Sequence, residues 1–144
     1  RSNLVKQAKI ASFRDGMKRA AQLETEQRLN HYFALISLAA CIAHADSDFS
    51  QEEIAAMQEL VEMASLNGGI PEEAQDSLRA IALDATITFE DTTTYLDKVD
   101  TGSLRNYQAA ITKMMQADGV TSEEEVRVEQ AYFLYLEERE SLEE

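Results

Sequence analysis

The sequence predicts an all-α fold, and three observations carry that prediction. Helix formers (Ala, Leu, Glu, Gln, Met) dominate the 144 residues, against five Gly and one Pro. No window alternates apolar and polar residues between turn signals, as a half-buried strand does. One stretch also occurs twice, reading each time as apolar helix, acidic elbow and acidic helix start. The first copy is Ala45-Asp46-Ser47-Asp48-Phe49-Ser50-Gln51-Glu52-Glu53-Ile54. The second is Ala117-Asp118-Gly119-Val120-Thr121-Ser122-Glu123-Glu124-Glu125-Val126, offset by 72 residues with no gap. The match runs on upstream (Leu38 with Ala110, Ile42 with Met114) and downstream (Leu60 with Tyr132, Val61 with Phe133). Two copies predict two pseudo-symmetric helix-elbow-helix units.

Taken in order, residues 3 to about 24 read as a helix, with Val5, Ile10, Phe13 and Met17 tracking one face. Glu24 to Asn30 reads as a polar connection or a fraying helix end. Residues 31–45 are nearly all apolar (Phe33, Leu35, Ile36, Leu38, Ala39, Cys41, Ile42), which marks a central core helix. Ser50 and Glu53 form an S-x-x-E capping box for a third helix, whose core stripe is Ile54, Met57, Leu60, Val61 and Ala64. Asn67-Gly68-Gly69 ends it. Pro71, Glu72 and Glu73 suit the first turn of a fourth helix that runs through Leu78, Ile81 and Ala82. A connector at Thr86–Thr88 leads to a short helix starting near Asp91 or Thr92, with Tyr95, Leu96 and Val99 inward. Thr101-Gly102-Ser103 reads as a break. A sixth helix covers 104–117. The last begins at the second capping box, Ser122 with Glu125, and Glu137–Glu144 reads as a fraying end. The whole is a compact bundle of about seven helices in one domain, with a basic leading helix over 1–24 and a core bundle over 28–140.

Charge is segregated along this chain. Residues 1–20 hold six basic residues and one acidic, a net of +5, whereas the remainder holds seven basic and 26 acidic, a net of −19. So acidic a body repels nucleic-acid phosphates and attracts cations or a basic partner. The leading helix is the exception. It either packs on the domain or contacts an acidic surface such as anionic lipid. No apolar run reaches the ~18 residues that span a bilayer, and Arg1-Ser2-Asn3 does not begin a signal peptide. The single Cys41 excludes an internal disulfide and, within an apolar run, reads as a small core residue.

The elbows admit two readings. In the first they are helix caps: Ser50 and Ser122 cap, Glu53 and Glu125 complete the boxes, and Asp46 and Asp118 assist. In the second they bind metal. Asp46 and Asp118 close apolar helices, where the macrodipole disfavours an acid by about 0.3–1 kcal/mol. Each precedes further carboxylates, Asp48, Glu52 and Glu53 or Glu123, Glu124 and Glu125. Clustered carboxylates beside helix-end carbonyls make an all-oxygen environment of the kind that holds Ca²⁺ or Mg²⁺. The candidate ligands are Asp46, Asp48, Glu53, Asp118 and Glu125. These are not EF-hands: counted from Asp46, position 6 is Gln51 instead of Gly and position 12 is Met57 instead of Glu. Asp76-Ser77-Leu78 matches a phosphopantetheine-attachment triplet only in letters, since it falls inside a predicted helix. His31 and His44 lack zincin spacing, and no glycine-rich loop follows a strand. Nothing reads as an active site.

The paired elbows resemble those of the TerB family, the tellurite-resistance-associated proteins and TerB-like modules of bacteria. The resemblance rests on Ala45-Asp46-Ser47-Asp48-Phe49-Ser50 with Glu53 and on Ala117-Asp118-Gly119-Val120-Thr121-Ser122 with Glu125, over roughly 33–65 and 105–137. Ser47 stands where that pattern has glycine. The resemblance implies a bundle of about seven helices and a non-enzymatic, cytoplasmic role in resistance to tellurite or another stress. It also implies a divalent cation at the acidic cluster and action through other tellurite-resistance proteins, TerC-like and TerD-like. A peripheral contact of residues 1–20 with the inner membrane is compatible with it. The alternative is an acidic helical adaptor that binds a basic protein without metal.

Overall fold

The computed structural model describes residues 10, 13–45, 49–118 and 122–143. The described chain is all-helical: α1 (Arg14–Ala20), α2 (Thr25–Ala43), α3 (Gln51–Gly68), α4 (Glu72–Ala82), α5 (Phe89–Leu96), α6 (Thr101–Asp118) and α7 (Glu123–Leu142). Its organising element is α2. A helix that is apolar all round has no face to offer water and must be surrounded. Accordingly Tyr32, Leu35, Ile36, Leu38 and Ile42 are buried, and α1, α3, α4, α5 and α7 all pack on this helix. Ala34, Ala39, Ala40 and Ala43, also buried, let its neighbours approach closely. No helix among the described residues is long and apolar enough to cross a membrane.

Around α2 the remaining elements follow their own local signals. Phe13, Met17 and Ala20 of the leading stretch are buried, and α1 docks on α2 and α3. Gly16 lies so close to α2 that an added Cβ would sit 3.0 Å from a Leu35 methyl group. Arg14 forms an exposed ion pair with Glu59 of α3, of the kind that contributes little by itself. Gly69 takes a left-handed φ of 56° and terminates α3, as the Asn67-Gly68-Gly69 run predicts. Ser77 sits in mid-α4 with its hydroxyl on the Glu73 carbonyl.

The leading helix ends at Ala20 instead of near residue 24 and α2 at Ala43 instead of residue 45, and four further boundaries differ from the sequence reading, each for an identifiable reason. Thr25–Asn30 is not a connection but the opening of α2. Its polar residues reflect exposure of that end, and the Arg28 guanidinium donates back to the Leu23 carbonyl at 3.0 Å. The short helix α5 starts at Phe89, earlier than Asp91. Thr88 and Asp91 form a third capping box, in which the Thr88 amide donates to Asp91 Oδ2 (3.0 Å) and the Asp91 amide to Thr88 Oγ1 (3.2 Å). Thr101-Gly102-Ser103 is the first turn of α6 instead of a break, because Asp100 accepts from the amide and hydroxyl of Ser103. The acidic end does not fray at Glu137. Helix α7 runs to Leu142, held by Arg105 on Glu140 and by the Thr101 hydroxyl on Glu143.

Candidate functional site: the cleft between the acidic elbows

Both elbows end in complete capping boxes. The Ser50 amide donates to Glu53 Oε1 at 2.8 Å and the Glu53 amide to Ser50 Oγ at 3.3 Å. In the second copy the Ser122 amide donates to Glu125 Oε1 at 3.1 Å and the Glu125 amide to Ser122 Oγ at 3.2 Å. A capping glutamate ordinarily lies on the surface, yet Glu53 is 0% and Glu125 4% exposed. Each box is thus roofed by its surroundings as well as closed by its own hydrogen bonds. Of the other candidate ligands, Asp46 and Asp48 lie outside the described residues. Asp118 is the last residue of α6, as expected, and its side chain lies outside the described part. Among the described residues, no three His, Cys, Asp or Glu side chains are grouped to hold a metal ion. Glu53 and Glu125, each bonded within its own capping box, do not group with a third such side chain among the described residues.

The structure brings the two elbow regions to one cleft of about 310 Å³. One wall is the end of α2, with Cys41, His44 and Ala45. The facing wall is the start of α7, with Glu124, Arg127, Val128 and Ala131. Ile87, Thr88 and Phe89, at the start of α5, close the third side. The His44 Nε2–H donates to the Ala82 carbonyl at 3.3 Å, and its ring lies tilted against Phe49 with centroids 4.0 Å apart. These contacts fix the imidazole as a wall. Burial pushes the Cys41 thiol up to about 11, only partly opposed by its hydrogen bond with Thr92. It stays protonated at neutral pH, so it serves as an apolar surface and not as a nucleophile. The sequence reading gave no site role to Arg127, Val128, Ala131 or Ile87–Phe89, and took Thr86–Thr88 only as a connector. One signal pointed there, the T-x-x-D box at Thr88.

A second polar cluster lies under the α6 start. Tyr107 donates its hydroxyl to His31 Nδ1 at 2.7 Å, and His31 Nε2 faces Asp100 Oδ1 at 3.7 Å. Burial lowers the His31 pKa, with Asp100 opposing. Burial also pushes Asp100 up, but the hydrogen bonds from Ser103 outweigh it and hold that carboxyl low. Because the folded chain disfavours the His31 proton, the unfolded chain takes it up first as pH falls below about 6.5. The contribution of neutral His31 is complete above that pH and is lost on acidification. Urea melts of the wild type should show stability falling between pH 7 and 5, and His31→Gln should flatten that slope. An unchanged slope in His31→Gln would assign the acid sensitivity to other groups.

No family model, curated protein or solved structure matches this chain.

Proposed function

We propose that this chain is a TerB-like, non-enzymatic helical module that acts through partner proteins in resistance to tellurite or a related stress, with a divalent cation held at its acidic elbows. The observation that carries the reading is the shared cleft. Ala45 and Glu124, from the margins of two elbows far apart in sequence, line one cavity, whereas Glu53 and Glu125 are not among its lining residues. The chemistry of the candidate donors (Asp46, Asp48, Glu53, Asp118, Glu125) is all oxygen and favours Ca²⁺ or Mg²⁺ over soft metals. The expected partners are TerC-like and TerD-like proteins, and the expected location is the cytoplasm.

A cation that binds only the folded chain stabilises it by mass action, about 1.4 kcal/mol at ten times Kd. Millimolar Ca²⁺ or Mg²⁺ should therefore raise the Tm by several degrees, and calorimetry should register saturable binding. Asp46→Asn with Asp118→Asn should abolish both signals. A second reading, an adaptor without metal, is favoured by the complete capping boxes, which satisfy the elbow serines with no ligand at all. No cation effect on the wild-type Tm, and none on the double variant, would leave that adaptor reading standing.

A further inference from the structure

We propose that the pocket between the first half of α2 and the end of α5 is a binding site for a small aromatic carboxylate. It lies toward the opposite end of α2 from the elbow cleft, and the proposal is independent of the reading above. Leu29, Asn30 and Phe33 line one side, and Tyr95 and Lys98 line the other. Leu29 and Phe33 are at i and i+4 on α2, so they share one face of that helix. Helix α5 packs on α2, with Tyr95 in its last turn and Lys98 in the turn that follows.

The apolar part of the lining selects a flat body. Phe33 and Tyr95 stack with centroids 5.4 Å apart and ring planes 20° from parallel. Both rings pack against the core yet are only partly buried, as is Leu29, so none of the three spends its whole surface on the fold. A ring entering beside them extends the stack in the offset or edge arrangements that aromatic pairs prefer. The pocket volume, about 180 Å³, suits one ring with a short acid arm, since an apolar cavity of about 150 Å³ admits benzene.

The polar part selects an anion. Lys98 is the one charged residue in the lining, and no acid lines the pocket. Among the described residues, no hydrogen bond or ion pair engages the Lys98 ammonium, the Asn30 amide or the Tyr95 hydroxyl. Asp97, the acid next to Lys98 in sequence, accepts from Tyr135 instead. All three free groups can donate to a carboxylate, and the ammonium adds charge to its bond. An amine of the same shape meets the Lys98 charge and is repelled. The net charge of −14 opposes any anion from a distance. Affinity for so small a ligand is therefore modest, with Kd about 0.1–1 mM.

The test titrates the full, isotope-labelled chain with phenylacetate, with 2-phenylethylamine and acetate as controls, and follows amide shifts by NMR. The expected result is saturable shifts of residues 29–33 and 95–98 with phenylacetate. The amine, which has the wrong charge, and acetate, which lacks the ring, should give none. Lys98→Gln should weaken binding about tenfold, the scale of one charge-assisted hydrogen bond. Tyr95→Leu, which keeps an apolar side chain and removes the ring, should weaken it about fivefold. Lys98 is exposed, so Lys98→Gln should keep the wild-type thermal melt and any loss is local. No saturable shift up to roughly 10 mM phenylacetate overturns the site. Equal binding of the amine, or binding undiminished in Lys98→Gln, overturns the carboxylate assignment. Neither result touches the elbow cation, whose failure is read from the Ca²⁺ and Mg²⁺ titrations alone.

Discussion

Tyr132→Ala is expected to destabilise the fold by about 3–5 kcal/mol, the cost of emptying a fully buried aromatic site. Tyr132 is 0% exposed and lies in the common core with Leu104 and Leu136. Its hydroxyl also donates to the Leu104 carbonyl at 2.6 Å, tying α7 to the first turn of α6. Burial pushes its phenol far above the ordinary range, so it remains a donor at any working pH. Tyr132→Phe separates the two contributions. It keeps the packing and removes the hydrogen bond, and should cost about 1 kcal/mol. Urea denaturation measures both. An alanine variant within 1 kcal/mol of wild type would show that α7 is not part of the core.

The second large effect is expected at Arg139. Its guanidinium donates to the Leu96 carbonyl at 3.0 Å and the Val99 carbonyl at 2.7 Å, and to the Tyr135 hydroxyl at 2.9 Å. Leu96 is the last residue of α5, where unsatisfied carbonyls carry the negative end of the helix dipole. One fork from α7 thus caps another helix and fixes the turn that follows it. Tyr135 reinforces the joint by donating to Asp97. Arg139→Met keeps the aliphatic stem and removes the donors, and should cost about 2–3 kcal/mol, the range of charge-assisted hydrogen bonds. Arg139→Lys should recover only part, because an ammonium cannot reach two carbonyls in the fixed geometry of the fork. Amide exchange at Asp97–Asp100 should quicken in step with the stability loss. Full rescue by lysine would mean that charge alone, and not the fork, holds the turn.

What the sequence made legible was local or compositional. Both S-x-x-E boxes were readable because the serine and the glutamate that complete each other are three residues apart. The place of α2 was readable because Tyr32 to Ala43 leaves no polar stripe. What stayed hidden needed distant partners. Thr25–Asn30 holds one apolar residue, Leu29, among polar ones, and only its continuity with the buried part of α2 marks it as helix. Asp100 looks like a loop acid until Ser103 is seen on it. Arg139 is indistinguishable from a solvated charge among Glu137, Glu138 and Glu140, since its acceptors lie about forty residues away. The cleft draws its walls from α2, α5 and α7, and no window of sequence contains more than one of them.

The way α6 and α7 join the rest of the molecule bears on how the chain opens. Helices α1 to α5 pack around α2, whereas α6 packs on α7, and α7 rests on α2. Across that seam run discrete polar latches, His31 with Tyr107, Asp97 with Tyr135, and Arg139 on the α5 end. They run beside apolar packing, since Leu104, Tyr107, Ile111, Tyr132 and Leu136 belong to the common core. Because α6 packs chiefly on α7 and α7 makes few contacts with α2, the amides of residues 101–142 are expected to exchange as one group below the free energy of the α2 amides. Because α7 supplies one wall of the cleft, the same excursion that frees this unit also opens the space between the elbows. A ligand seated there would staple the two halves, and its affinity would read out in the exchange rates of both.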